Sequence, residues 1–378
     1  HAEYYCDLIE NLTQKPESVI NTLLSGKFWH FNNKKNMKID AIIGNPPYQV
    51  MDGGGTGSSS KAIYGDFVLL SKKIKPKYIS IVMPSRWMTG GKGLDDFRTE
   101  MIKDRSIRVL HDYMNASFLF STAQIEGGIC YFLWEKEKLG KCSIFTHSAD
   151  NTITHNERYL SEEGTDVFIR DSNAVSILNK VKTCTDKAFS TIVLSRNPFS
   201  INDKECILDD TPSIHSQWKI FGRFGKERGV KYLPLDYKVF KNKDVASKWK
   251  VFISKADGAA GQLGNPIPAK IIGKAELGDN QTVCTETFLA IAPFENEEEA
   301  KNVITYTKTK FFRFMVGIRK LKNMTRDTYS FVPLQDFTSS SNIDWSQTIE
   351  EIDKQLYTKY HLSEDEIAFI ERMIKPMV

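Results

Sequence analysis

The chain has 378 residues, which is more than a single hydrophobic core usually covers and suits two domains. Its net charge of +4 indicates no particular partner, and no apolar run approaches the roughly 18 residues that a membrane-spanning helix needs. The six cysteines include no CxxC pair, which favours neither a zinc site nor a disulfide framework, and the polar, acidic beginning is unlike a signal peptide. We therefore expect a cytoplasmic protein.

The first elements lead to a rigid loop. Helical stretches are predicted at residues 2–14 and 17–25 and a short strand at 27–31. The apolar run 39–43 follows, long enough for a strand buried on both faces, as in a parallel sheet. Two consecutive prolines then exclude a helix, so residues 45–48 must be extended or turning.

This loop, Asn45-Pro46-Pro47-Tyr48, is a candidate substrate clamp. Ligands of α/β sheets bind just beyond the carboxyl ends of the strands, which is where the loop is expected. It offers one amide, one unpaired proline carbonyl and one aromatic ring. An ordinary strand-ending turn is the alternative interpretation.

Strands alternate with helices after the clamp, which predicts an α/β domain with a largely parallel sheet. Apolar residues at Phe67, Leu70 and Ile74 predict one face of a helix, which follows a glycine- and serine-rich loop at residues 51–62. The predicted later elements are a strand ended by Pro84, a helix at 95–105, and strands at 107–114 and 127–136.

The pattern changes after about residue 150 to short β-like runs, at 166–170, 190–195, 250–254 and 286–294, which predict a mixed α+β domain. One long helix is expected at residues 296–322 and two amphipathic helices near the C-terminus, the second opened by a capping box of Ser363 and Glu366. The pattern thus predicts an α/β domain with a largely parallel sheet over 1–150, a mixed α+β domain over 151–340 and a helical segment over 341–378.

A basic stretch at residues 215–255 carries eleven Lys and Arg against three Asp and Glu, with aromatic residues interleaved. Such a mixture suits a nucleic acid, although most charge runs are simply solvated surfaces. Trp218, Arg223 and Arg228 could read base edges, and Arg326 with Lys322 is a further basic pair. The candidate phosphate contacts are Arg223, Lys226, Arg228, Lys231, Lys248 and Lys250.

The clamp suits chemistry on the exocyclic amino group of adenine. That nitrogen is a poor nucleophile because its lone pair is delocalised into the ring. If the Asn45 side-chain oxygen and the Pro46 carbonyl each accept one of its protons, positive charge that develops on the nitrogen is stabilised. Tyr48 would stack on the base, which must leave the duplex to react.

Asn45-Pro46-Pro47-Tyr48 resembles the catalytic motif of AdoMet-dependent amino-methyltransferases, and residues 39–135 resemble the DNA adenine-N6 branch with gamma-type motif order. The resemblance implies a partial, doubly wound, Rossmann-like methyltransferase domain and S-adenosyl-L-methionine as cofactor. It places Phe67 in the pocket for the cofactor's adenine, makes Asn45 a second cofactor contact, and stacks Phe120 on the other face of a flipped base. Residues 218–340 are similar to target-recognition domains of type IIG restriction-modification methylases, which implies double-stranded DNA as partner and a prokaryotic enzyme.

One departure from the family is clear. Only 44 residues precede Asn45 and they contain no GxG, whereas the family binds AdoMet through a glycine-rich turn before the clamp. We therefore expect an incomplete cofactor site, in the C-terminal part of a longer protein, with an N-terminal segment or nuclease module as a further partner.

No metal site is predicted. A DNA-binding specificity module without independent catalysis and a protein or RNA amino-methyltransferase are the alternatives.

Overall fold

A computed structural model describes residues 38–51, 60–89, 93–120, 125, 127–148, 152–201, 210–212, 216–225, 227–234, 241–259, 262–264, 266–320 and 323–377. The elements predicted at 2–14, 17–25 and 27–31 therefore lie outside the described residues. The chain divides into two compact units, residues 1–171 and 172–378. In the part of the chain that is described, no helix is both long and apolar enough to cross a bilayer.

The first unit is built on a six-stranded sheet and a small two-stranded hairpin. The strands of the sheet are β1 (Ala41–Gly44), β4 (Tyr78–Pro84), β5 (Ile107–Tyr113), β6 (Ile129–Glu135), β7 (Cys142–His147) and β8 (Ile153–Arg158), and those of the hairpin are β2 (Gln49–Met51) and β3 (Ser60–Ala62). The strand order in the sheet is β1-β4-β6-β5-β7-β8. β1 pairs with β4, and β5 with β7, in parallel, whereas the other three neighbouring pairs are antiparallel.

A mixed α/β fold is thus confirmed, but the prediction of a largely parallel sheet is wrong for the described strands. A parallel neighbour requires a crossover connection, usually a helix, and none of the described residues between β5 and β6 forms an α-helix. β6 therefore returns antiparallel and lies between β4 and β5. The first unit extends past the predicted boundary at residue 150, because β8 adds to the same sheet.

Helices α1 (Tyr64–Ile74) and α2 (Asp95–Lys103) cover one face of this sheet and form its core with Ile81 and Phe132. The predicted apolar face of α1, with Phe67, is only half-buried. The buried positions are instead Tyr64, Val68 and Ser71, the same periodicity shifted along the helix.

Strand β1 contradicts the expectation of burial on both faces. Ile43 exposes 83% of its surface, and the strand alternates between exposed and half-buried residues. β4 is its one partner among the described strands, so β1 forms an edge of the described sheet. The apolar run correctly predicted a strand, but the prediction that both faces of this strand are buried is wrong.

The second unit contains six described strands, β9 (Ser216–Phe224), β10 (Glu227–Pro234), β11 (Trp249–Ser254), β12 (Glu276–Gly278), β13 (Thr282–Cys284) and β14 (Phe288–Phe294). They form two three-stranded sheets, ordered β10-β9-β13 and β12-β11-β14. The helices are α3 (Ser172–Cys184), α4 (Lys243–Ala246), α5 (Glu297–Lys308), α6 (Lys310–Arg319), α7 (Ile349–Lys359) and α8 (Glu364–Met373).

Sequence prediction succeeded for some elements of this unit and failed for others. β11, β14 and both C-terminal helices are confirmed, including the capping box of Ser363 and Glu366. The strand predicted at 166–170 is irregular, and 190–195 overlaps a 3-10 turn, Phe189–Ile192. The predicted long helix breaks at Thr309, whose side chain accepts a hydrogen bond from the Phe312 amide and so starts α6.

Candidate functional site

The predicted clamp follows β1 directly. Gly44, the last residue of β1, pairs in parallel with Ile81 of β4, and residues 45–48 are irregular, as two prolines require. The Tyr48 carbonyl accepts a 3.2 Å hydrogen bond from the amide of Ile63, which precedes α1. The loop is therefore held between the end of β1 and the start of α1.

Asn45 and Tyr48 lie together within this loop. Asn45 is exposed, whereas Tyr48 is half-buried and packs against the core of the first unit. Burial raises the pKa of the Tyr48 hydroxyl, and hydrogen bonding with the Asn45 side chain lowers it by less. The hydroxyl is therefore protonated at neutral pH, and the ring provides a fixed support for the exposed amide.

Two further ionisable groups lie behind the clamp, and both are neutral. Burial strongly raises the pKa of the Tyr64 hydroxyl. Burial also raises the pKa of the Cys130 thiol to about 12, and the thiol accepts a hydrogen bond from the Trp87 indole at 3.4 Å. A thiolate nucleophile is therefore excluded at Cys130.

A buried ion pair joins the strand ends at the same edge of the sheet. Asp112, fully buried at the end of β5, accepts hydrogen bonds from Arg170 on both carboxylate oxygens and from the Ser85 hydroxyl at 2.7 Å. Arg170 also donates to the Gly127 carbonyl at 2.8 Å, and the Ser85 amide donates to the Gly128 carbonyl at 3.0 Å. We call these five residues the Asp112 cluster.

The Asp112 cluster was missed by sequence reasoning. A single acidic residue inside the strand sequence Val109-Leu110-His111-Asp112-Tyr113 was the available signal, since a charge in a buried strand requires a partner. The partner, Arg170, is 58 residues away in the chain, and no local pattern identifies it.

Phe120 and Phe67 are both half-buried. Phe120 follows the 3-10 turn Ala116–Phe118, and its amide donates to the Ala116 carbonyl at 2.9 Å. The carboxyl ends of β1 and β5 lie at one edge of the sheet, separated by three strand spacings, or about 14 Å. Phe67 lies in the first turn of α1, one turn after Ile63. Both aromatic residues thus belong to the edge that holds the clamp.

Phe67 and Asn45 are the predicted cofactor contacts. Phe67 is half-buried in the first turn of α1, and Asn45 is exposed in the clamp. The residues before Lys38, where a glycine-rich turn would precede the clamp, lie outside the described residues. The role of both residues in cofactor binding stays a prediction.

The predicted DNA-binding residues of the second unit have different surroundings. Arg223 on β9 and Arg228 on β10 are direct cross-strand neighbours, and both are exposed. Arg228 forms an ion pair with Asp257 at 2.9 Å. Lys231 pairs with Asp210 at 2.8 Å, and Lys248 pairs with Glu295. Lys226 lies outside the described residues, as does Lys322.

Lys250 is a correction to the sequence prediction. It is fully buried, and its ammonium donates to the carbonyls of Ala246 and Asp279 at 2.8 and 2.7 Å. Burial lowers its pKa to about 8. A side chain enclosed in this way stabilises the fold and cannot reach a phosphate. Trp218, predicted as a reader of base edges, is half-buried against the core of its sheet.

Residues 1–120 match the family model of the Eco57I restriction-modification methylase. A relative in Mycoplasma pneumoniae (strain ATCC 29342 / M129 / Subtype 1), an "uncharacterized adenine-specific methylase", is 35% identical over 150 residues, which cover 35% of this chain and 36% of the relative. The resemblance to adenine-specific restriction-modification methylases is thus confirmed for the first part of the chain. The chain spans about a third of the length of that relative.

Among solved structures, the type IIL restriction-modification enzyme MmeI in complex with DNA superposes with a TM-score of 0.50 at 10% identity, over 93% of this chain and 62% of that one. The type IIG restriction endonuclease BpuSI gives a TM-score of 0.34 at 13% identity, over 88% of this chain and 52% of that one. The likeness to MmeI shows a similar fold.

Proposed function

We propose that the chain acts in the site-specific methylation of adenine N6 in DNA, as part of a type II restriction-modification methyltransferase. The observation that carries the proposal is the geometry of Asn45-Pro46-Pro47-Tyr48, held at the carboxyl end of β1 by the bond from Ile63 to Tyr48. The match of residues 1–120 to the Eco57I restriction-modification methylase family and the similarity to a relative named an adenine-specific methylase support the same activity.

In this mechanism Asn45 and Pro46 bind the exocyclic amino group of a flipped adenine. The Asn45 side-chain oxygen and the Pro46 carbonyl each accept one N–H, which stabilises positive charge on the nitrogen as it forms the new bond. The Tyr48 hydroxyl lies within hydrogen-bonding range of the Asn45 side chain. One amino proton then leaves to solvent, and S-adenosyl-L-methionine supplies the methyl group when bound.

Aromatic residues at the same edge of the sheet would hold the base and the cofactor. Tyr48 and Phe120 are proposed to stack on opposite faces of the flipped adenine, with roughly 1 to 3 kcal/mol per stacked base. Phe67 is proposed to contact the adenine ring of the cofactor. The Asp112 cluster fixes the strand ends on either side of the segment that carries Phe120.

The second unit is proposed to recognise double-stranded DNA. Its exposed Arg223 and Arg228 lie side by side on a β-hairpin, a geometry in which two guanidinium groups can contact neighbouring groups of one strand. The first unit, residues 1–171, would then hold the catalytic part and the second unit, residues 172–378, the target-recognition part.

A specificity module that binds DNA without methylating it is the second candidate. It would use the exposed, cross-strand Arg223 and Arg228 of the second unit and would not require the clamp. Both candidates bind DNA, and they differ in cofactor binding.

Calorimetric titration with S-adenosyl-L-methionine up to millimolar concentration separates the two. Binding near one equivalent supports the methyltransferase, and transfer of labelled methyl groups to duplex DNA then tests the reaction itself. Absence of heat favours the specificity module. If the chain binds cofactor but methylates RNA or protein and not DNA, the proposed substrate is wrong.

A further inference from the structure

The second unit contains a cavity of about 360 Å³ lined by five cationic side chains from separate segments of the chain. One acidic residue, Glu286, also lines it. We call it the basic cavity, and its cationic residues are Arg196, Arg223, Arg228, Lys255 and Arg326.

Backbone contacts fix the positions from which these side chains project. Lys255 directly follows β11; its amide donates to the Thr287 carbonyl at 3.0 Å, and its carbonyl accepts from the Met324 amide at 2.8 Å. These two bonds join three segments at one point of the wall. Arg326 opens the 3-10 turn Arg326–Tyr329, and its Nε donates to the Ser190 carbonyl at 3.0 Å. The convergence of charge is therefore built into the fold.

Carboxylates neutralise this charge incompletely. Glu286 pairs with Arg196 at 2.8 Å, and Asp257 pairs with Arg228. Within the described part of the chain, no carboxylate lies at ion-pair distance from Arg223, Lys255 or Arg326. Gathering like charges around a cavity opposes folding unless an anion offsets them.

The surroundings of Lys255 disfavour its charged ammonium. Burial is the largest effect and lowers the pKa of its ammonium; Glu286 raises that pKa, and the neighbouring Arg196 lowers it. A bound anion would oppose both lowering effects.

We propose that the basic cavity binds the sugar–phosphate backbone of the DNA substrate, an inference that rests on the proposed function. Phosphates fit better than base edges because three of the four guanidinium groups, those of Arg196, Arg228 and Arg326, are partly occupied. Arg228 uses both terminal nitrogens, on Asp257 and on the Ala256 carbonyl, and Arg196 uses one on Glu286. Reading guanine requires a free pair of donors, whereas a phosphate accepts any single donor or point charge.

The test is the salt dependence of duplex binding by the complete chain, measured by fluorescence anisotropy. The variant Lys255→Gln/Arg326→Gln removes two cations that have no carboxylate partner among the described residues. Each lost phosphate contact reduces the steepness of the slope of log K against log salt by about 0.9, so the slope of the double variant should be less steep by about 1.8. This change in slope should be equal for duplexes of unrelated sequence.

Two controls accompany this variant. Lys301→Gln/Lys354→Gln removes the same charge from exposed positions on α5 and α7 of the same unit and should leave the slope unchanged. The charge-retaining variant Lys255→Arg/Arg326→Lys should restore the slope, because a phosphate accepts either cation. Circular dichroism verifies that every variant is folded.

The outcomes distinguish the inference from the proposed function. Binding of unaltered strength and slope by Lys255→Gln/Arg326→Gln overturns the inference and leaves DNA as the substrate. A loss confined to one duplex sequence also overturns it, in favour of base reading. If the unaltered chain binds no DNA, both the inference and the proposed DNA substrate fail.

Discussion

The buried Asp112–Arg170 pair should be the most sensitive electrostatic contact of the first unit. The Asp112 side chain has no exposed surface and that of Arg170 only 7%, so solvent cannot compensate for a lost partner. Asp112→Asn keeps the volume but removes the buried carboxylate charge that faces the Arg170 guanidinium. Breaking such a pair costs about 3 to 5 kcal/mol, and because asparagine still accepts a hydrogen bond we expect a cost of about 3 kcal/mol.

Hydrogen exchange followed by mass spectrometry measures this effect locally. A loss of about 3 kcal/mol should accelerate exchange of the most protected amides in β4, β5 and β6 by about 150-fold. The second unit, 172–378, provides an internal reference in the same sample. A matched control is Asp40→Asn, which breaks the exposed ion pair with Lys77 and should change protection by less than about fivefold.

A compensating variant tests the explanation itself. Asp112→Leu/Arg170→Met removes both charges, so it should be less destabilising than Asp112→Asn even though it changes more atoms. If the double variant exchanges as fast as Asp112→Asn or faster, loss of packing and not loss of the carboxylate charge is the cause. If Asp112→Asn exchanges like the unaltered chain, the pair does not stabilise the strand ends.

Three further outcomes are expected. Asn45→Ala should lower methyl transfer at least 10²-fold in the protein that carries the activity, while the affinity for duplex DNA changes less than twofold; equal activity would refute the role of Asn45. Burial lowers the pKa of Lys320 from 10.5 to about 8, so the unfolded state binds more protons between these values and this group makes the protein more stable as pH rises. The stability of Lys320→Met relative to the unaltered chain should therefore fall across that range in urea titrations, and a constant difference would contradict the assignment. Ser363→Ala removes the N-cap of α8 and should cost about 1 kcal/mol of unfolding free energy, whereas a Ser→Ala change at the exposed Ser339 should cost almost nothing.

Local sequence signals identified elements well where one segment contained the whole signal. Strand β4 ends at Pro84 as predicted, and the Ser363–Glu366 capping box opens α8. Both depend on neighbours within four residues. The position of Asn45-Pro46-Pro47-Tyr48 after a strand was predictable for the same reason.

Contacts between distant segments were not predictable in this way. The insertion of β6 between β4 and β5 is decided by pairing of strands that are far apart in sequence. Lys250 is one of the basic residues of the stretch 215–255. Its side chain is buried because its ammonium can donate to the Asp279 carbonyl, which lies 29 residues away in the chain. The basic cavity draws on segments from 196 to 326, and no single window of sequence contains it.

The position of Arg170 decides where the first unit can be cut. A fragment that ends at residue 150 would lose this arginine and also Phe168, whose amide donates to the Met88 carbonyl at 2.8 Å and whose ring stacks on Trp87. Asp112 would remain buried without its counter-charge, and the indole would lose a covering ring. An expression clone of the isolated first unit should therefore run to Asp171, and a shorter one should yield aggregated or protease-sensitive material.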